Sequence, residues 1–192
     1  MRLFTAILLE EDIKEGLYGT VAKLKELAAA GSFTAKENLH LTVNFIGETG
    51  RLEEVKKAMG TALEKARTES FLLTLHGFGR FKRPEGDICW VGVNEEPALW
   101  RLHRELVKEL KEAGFFDMDD REYKPHLTLG RRVRLDKGTD YGVLNSEIEP
   151  MNTRVTKLSL MKSERIQGKL TYTEIFQIGL NGPVSLKPNM PR

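Results

Sequence analysis

Cysteine is nearly absent: the 192 residues contain one, Cys89, so no disulfide forms within the chain and a cysteine-rich zinc site is excluded. Flanked by Ile88 and Trp90, that thiol reads as a small buried hydrophobe. A His-Glu-x-x-His helix is also missing, so the sequence supplies no metal-ligand pattern. No apolar run approaches the roughly 20 residues that span a bilayer. The apolar residues 1–9 are cut short by Glu10, Glu11 and Asp12, which suits a strand feeding a helix and not a signal peptide; the expected compartment is the cytoplasm. Excess charge is lacking too. Lys plus Arg number 30 against 28 Asp plus Glu, a net +2, so no bulk field draws in a polyanion. Basic residues do gather locally, at Arg80, Lys82 and Arg83 and again at Arg131, Arg132 and Arg134. Without such context, a cluster of this kind is as readily a solvated face. No low-complexity linker interrupts the chain, and residues 1–192 read as one unit with a hydrophobic fraction of 40%, enough for a sizeable core.

Histidine is scarce, with four in all, yet two of them share one local pattern: His40-Leu41-Thr42-Val43 and His126-Leu127-Thr128-Leu129. Random placement of 4 His and 14 Thr yields about 0.3 His-x-Thr triplets, so two copies with the same central Leu are not an accident of composition. In a strand, residues i and i+2 point to one face. Each copy therefore presents an imidazole beside a hydroxyl and sends its Leu into a core. Facing copies would surround one small cavity with two histidines and two threonines. Histidine titrates near pH 6.5, so one ring can serve as base while the other serves as acid. Threonine hydroxyls donate to phosphate oxygens, and a phosphate anion between the rings would raise both pKa values. A nearby arginine would neutralise developing charge.

Periodicity predicts a strand over residues 2–9 and a helix over 11–29, with Leu17, Val21 and Leu24 on one stripe and Gly31 ending it. Thr34-Ala35-Lys36-Glu37 has the form of a capping box and predicts a single turn before the first motif strand, which runs to about Ile46. Leu52, Val55, Met59 and Leu63 mark a second helix. Strands are expected over 71–78 and 88–93, separated by a basic loop at 79–87. A third helix over 97–113 opens on Pro97 and stops at Gly114. The second motif strand is expected over 123–133, with late strands over 154–162 and 170–178 and an irregular tail from Gly182. A helix precedes each motif strand, and the two histidines stand close to half a chain apart. This order predicts an α+β, bilobal fold: two similar lobes, each with a mostly antiparallel sheet and flanking helices, and a cleft between them. Of the other histidines, His76 reads as a surface residue and His103 as a boundary residue of its helix. Phe45, on the Leu41 face, reads as core.

The paired motifs resemble those of the two-histidine (2H) phosphoesterases. The wider pattern is similar to the branch of RNA 2′,3′-cyclic phosphodiesterases, also called 2′-5′ RNA ligases. It is carried by Arg2-Leu3-Phe4-Thr5-Ala6-Ile7, Asn38 to Gly47, Trp90-Val91-Gly92, Pro125 to Arg131, Leu160-Met161-Lys162-Ser163 and Tyr172, and covers residue 2 to about residue 180. The resemblance implies hydrolysis of a 2′,3′-cyclic phosphate, on a tRNA-like RNA or an oligoribonucleotide, to a 2′-phosphomonoester without metal or cofactor. His40 would be the acid on the 3′-oxygen, His126 the base on water, and Thr42 and Thr128 the phosphate holders. It also places Arg131 as a substrate contact. Strict alternation from His126 would instead put Arg132 on that face, unless a bulge at Gly130 restores Arg131. A monomer away from membranes is expected. Three other functions fit the same residues: 2′-5′ ligation of tRNA halves, hydrolysis of a small cyclic nucleotide, and a non-catalytic RNA-binding module.

Overall fold

The computed structural model describes residues 1–116, 122–146 and 148–180. Its strands are β1 Arg2–Leu8, β2 Ala28–Phe33, β3 His40–Glu48, β4 Phe71–Phe81, β5 Asp87–Val93, β6 His126–Leu135, β7 Met151–Val155, β8 Lys157–Ile166 and β9 Lys169–Gly179. The helices are α1 Glu11–Glu26, α2 Leu52–Ala66, α3 Pro97–Glu112 and the short α4 Gly142–Ser146. The strands form two antiparallel sheets, ordered β3-β1-β8-β9 and β2-β6-β5-β4-β7. The fold is the α+β, two-lobed arrangement expected, but the lobes are not successive halves of the chain. The last strands, β8 and β9, return to pair beside β1. Helix α1 leaves the first sheet and covers the second, against β2, β6 and β7, whereas α2 and α3 lie together behind the first sheet.

Leu41, Val43, Leu127 and Leu129 of the two motif strands are buried in one hydrophobic core that takes residues from both sheets. Their alternate neighbours His40, Thr42, His126 and Thr128 are half-buried on the other face. Strand β2 meets β6 only from Leu135 back to Gly130, where Phe33 is the last partner. Beyond that ladder Thr34 alone follows β6, its N–H donating to the Leu129 carbonyl at 2.9 Å and its hydroxyl to the Thr128 carbonyl, and β3 lies against β6 without forming a ladder. That contact closes the cleft at its floor.

Several local expectations are revised. The helix expected over 11–29 ends at Glu26, because residues 28–33 gain more from a ladder with β6 than their alanines gain from continuing a helix. The turn at Lys36–Asn38 forms, but Thr34 does not cap it: its hydroxyl donates to the Thr128 carbonyl at 2.8 Å, so it ties the turn to the second motif. Strand β4 runs on to Phe81, which shortens the basic loop to residues 82–86. The second motif strand starts at His126, leaving Tyr123 outside it. The single strand expected over 154–162 is two, β7 and β8, which enter different sheets either side of Thr156. Phe45 is not core but 40% exposed, beneath the Arg2 guanidinium, because register shifts at Thr42–Asn44 and Phe45–Gly47 turn it outward. Cys89 is buried and His76 exposed, in line with the sequence. The tail from Gly182 lies outside the described residues.

Glycine has a steric role at two points of the second sheet. Gly79 pairs opposite Trp90, and a Cβ there would lie 2.0 Å from the indole. At Gly92, opposite His126, a Cβ would meet the His76 carbonyl at 2.9 Å. Gly79→Ala is expected to push the indole aside and lower stability by about 1–3 kcal/mol, read as a lower urea midpoint with altered tryptophan emission. An unchanged midpoint would mean that the ring has room to move.

Candidate active site

The two histidines are held by the same device. His40 Nδ1 donates to the Asn38 carbonyl and His126 Nδ1 to the Lys124 carbonyl, each at 2.7 Å and each two residues back. Leu39 sits at φ −70° and ψ 120°, and the ring of Pro125 holds its φ near about −65°, so both chains approach in an extended conformation that turns the carbonyl to the ring. A carbonyl only accepts, so Nδ1 of each ring carries a proton and Nε2 is the atom left to gain or lose one. His40 Nε2 lies 3.0 Å from the Thr42 hydroxyl, which donates to the neutral ring and accepts from the protonated one. Asn38 also reaches the far hairpin: its Nδ2 donates to the Leu170 carbonyl at 2.9 Å.

Aromatic walls flank each imidazole. Phe4 and Tyr172 stand 4.9 and 5.1 Å from His40, centre to centre. Phe81 and Trp90 stand 5.0 and 6.0 Å from His126. These walls keep water from much of each ring while leaving Nε2 toward the cleft. Burial accordingly lowers the pKa of both histidines below the ordinary value, and it outweighs the opposing pull of the two carbonyls. The positive charge of Arg131 lowers both further, and His126 also acts on His40. Arg131 is therefore close enough to act on both rings. Register shifts on either side of Gly130 and a left-handed Arg132, at φ 54°, account for this placement. Arg132 turns the other way, to donate to Ser32 Oγ at 3.2 Å. The structure thus brings together His40, His126 and Arg131, with Thr42 and Thr128 on the same faces as their histidines. Among the described residues, no three His, Cys, Asp or Glu side chains are grouped so as to hold a metal ion.

Two residues outside the motifs hold the motif strands together. Tyr123, three residues before His126, donates its hydroxyl to the Thr42 carbonyl at 3.1 Å. His103 of α3 donates Nδ1 to the next carbonyl, Val43, at 3.0 Å. Their rings stack at 3.8 Å and 6°, with Trp100 edge-on to Tyr123. These carbonyls flank the bulge in β3, where the ladder with β1 slips and leaves main-chain groups to be satisfied from elsewhere. Burial raises the Tyr123 pKa, so its hydroxyl stays a donor. The sequence marks His103 only as a boundary position and gives no sign of Tyr123. Asn38 and Lys124 were more accessible, since both stand two residues before a motif histidine.

Tyr123→Phe is expected to cost about 1 kcal/mol in urea unfolding, the worth of one such hydrogen bond. Arg131→Gln should raise the pKa of both His40 and His126, measured by NMR titration of the ring protons, because it removes a positive charge that disfavours the imidazolium. A shift at one ring alone would place Arg131 beside that ring only.

The family model described as the 2′-5′ RNA ligase superfamily matches residues 14–167. A protein of Thermotoga maritima named RNA 2′,3′-cyclic phosphodiesterase is 33% identical over 95% of this chain and 97% of its own. One of the same name from Archaeoglobus fulgidus is 36% identical over 70% of this chain and 74% of its own. Among solved structures, E. coli LigT complexed with 3′-AMP superposes with a TM-score of 0.73 at 29% identity, covering 93% of this chain and 97% of that one. With the paired motifs facing one cleft and the match running through both lobes, the chain belongs to the 2′-5′ RNA ligase superfamily, the 2H phosphoesterases.

Proposed function

We propose that this protein hydrolyses the 2′,3′-cyclic phosphate at an RNA end to a 2′-phosphomonoester, by two-histidine acid–base catalysis without a metal ion. The observation that carries it is the pair of imidazoles with identical Nδ1 donation, opposed across a cleft that Arg131 makes positive. The relatives' shared name, at 30–36% identity, supports the same general activity.

Neutral His126 accepts a proton at Nε2 from the water whose oxygen attacks phosphorus. The P–O3′ bond breaks, and protonated His40 delivers its Nε2 proton to the departing 3′-oxygen. Phosphorus keeps its bond to O2′, and the product is a 2′-phosphate. The hydroxyls of Thr42 and Thr128 donate to the non-bridging oxygens, and Arg131 balances the charge that gathers on them. After turnover His40 is neutral and His126 protonated, and proton exchange with solvent restores the starting pair.

The lowered pKa values carry a consequence. In the free protein both rings are mostly neutral at pH 7, which suits the base but not the acid. A phosphate anion between them raises both values and so brings the acid's proton with the substrate. The kcat/KM profile, which reports the free enzyme, is expected to be a bell centred below pH 6.5; the kcat profile should lie at higher pH. Coincident profiles would contradict this account. His40→Ala and His126→Ala should each lower turnover by about 10²–10⁴-fold. The deciding assay uses an oligoribonucleotide with a 2′,3′-cyclic end, in EDTA, with NMR assignment of the product. A 2′-phosphate is the expected end; a 3′-phosphate would reverse the acid and base, and loss of activity in EDTA would end the metal-free mechanism.

A further inference from the structure

The basic cluster at Lys82 and Arg83 takes no part in the chemistry above, yet the fold carries it to the rim of the site. Strand β4 ends at Phe81, whose ring stands edge-on to His126 at 5.0 Å. The chain then turns through residues 82–86 into β5. At the other end of the turn Gly86, at φ 119°, lies so close to the Arg132 main chain that a Cβ would fall 2.6 Å from the Arg132 carbonyl carbon. The turn therefore bridges His126 to the bulge that carries Arg131 and Arg132. Lys82 and Arg83 are exposed, and among the described residues neither meets a carboxylate. Asp87, which opens β5, is engaged by Arg80 at 2.7 Å, and Glu85 is the acid of the turn itself. The hairpin of β8 and β9 beside His40 differs. Its Lys162 is engaged by Glu164, Arg165 donates to the Gly168 carbonyl, and its end exposes Ile166 and Leu170.

We propose that Lys82 and Arg83 form a subsite for the phosphodiester immediately upstream of the cyclic end, so that RNA strands are taken in preference to free cyclic mononucleotides. This rests on the function proposed above and names its substrate class. The chemistry is sequence-independent: cations hold a backbone phosphate and fix the strand's direction without reading a base. The strand leaves the cleft over the second sheet, past Phe81, and not over the β8–β9 hairpin. Phe81 and Trp90 then offer faces against which the terminal nucleoside can rest.

The test compares a 2′,3′-cyclic mononucleotide with a short oligoribonucleotide carrying the same terminal nucleoside, across a range of salt. The wild-type protein is expected to favour the oligonucleotide in kcat/KM, with a slope against salt steeper by about 0.7 for each phosphate held. Lys82→Gln/Arg83→Gln should cut that preference by roughly five- to tenfold and flatten the slope, while the mononucleotide loses far less. Equal losses on both substrates, or an undiminished preference, would overturn the subsite. So would a larger loss of preference from Arg165→Gln/Lys169→Gln, which would put the strand on the other hairpin. Binding of an oligonucleotide ending in a 2′-phosphate, followed by fluorescence anisotropy, separates this proposal from the activity. If the wild-type protein hydrolyses neither substrate, the proposed function fails; the subsite still stands or falls on whether the double variant weakens that binding and its salt dependence.

Discussion

The contact between β3 and β6, made without a ladder, is the constraint on which the rest of the structure depends. Strand β2 stops at Phe33, opposite Gly130, and past it only Thr34 bonds β6, at the Leu129 and Thr128 carbonyls. Hydrogen bonding would have merged the two sheets into one. Side-chain packing joins them instead: Leu41, Val43, Leu127 and Leu129 meet inside a shared core, and the polar faces of both strands remain open above it. The alternation of a strand then does the rest, because burying every second residue obliges the imidazole and hydroxyl between them to face the cleft.

Because that junction has no ladder, other groups must hold its geometry. Tyr123 and His103 bond the consecutive carbonyls of Thr42 and Val43, and Thr34 bonds that of Thr128. The first two tie β3 to segments outside its own sheet, and the third carries the β2–β6 pairing one residue further. The interleaved topology reinforces this. With α1 covering the second sheet and the last two strands returning to the first, neither lobe can separate without unthreading the other's cover. A spacing set this way suits the mechanism we propose, in which the two rings address opposite sides of one phosphorus atom.

The electrostatics follow from the same enclosure. Aromatic walls and a neighbouring guanidinium make the cleft a poor place for an imidazolium and a good place for an anion. Those are one property seen from two sides: the missing negative charge is the substrate's own. In the mechanism we propose, protonation of the acid and occupation of the site are thereby coupled, without a carboxylate behind either histidine; main-chain carbonyls fill that position in both copies.

The repeated His-Leu-Thr was enough to mark His40, Thr42, His126 and Thr128, since the pattern is local and a strand translates it directly into faces. Helix positions were equally legible, because their apolar stripes depend only on near neighbours. Where partners distant in sequence decide the outcome, local reasoning stopped short. Residues 28–33 look helical until β6 offers a ladder, Phe45 looks buried until two bulges turn it out, and Tyr123 looks ordinary until the Thr42 carbonyl comes within reach. Arg131 and Arg132 show the division most directly. Alternation alone favours Arg132, but a left-handed residue in a bulged strand sends Arg131 toward the histidines and Arg132 toward Ser32. The sequence by itself determined which side chains are candidates for the chemistry; only the tertiary structure decided how they are placed and which charge they feel, because bulges, cross-strand pairing and burial arise from residues that meet only once the chain has folded.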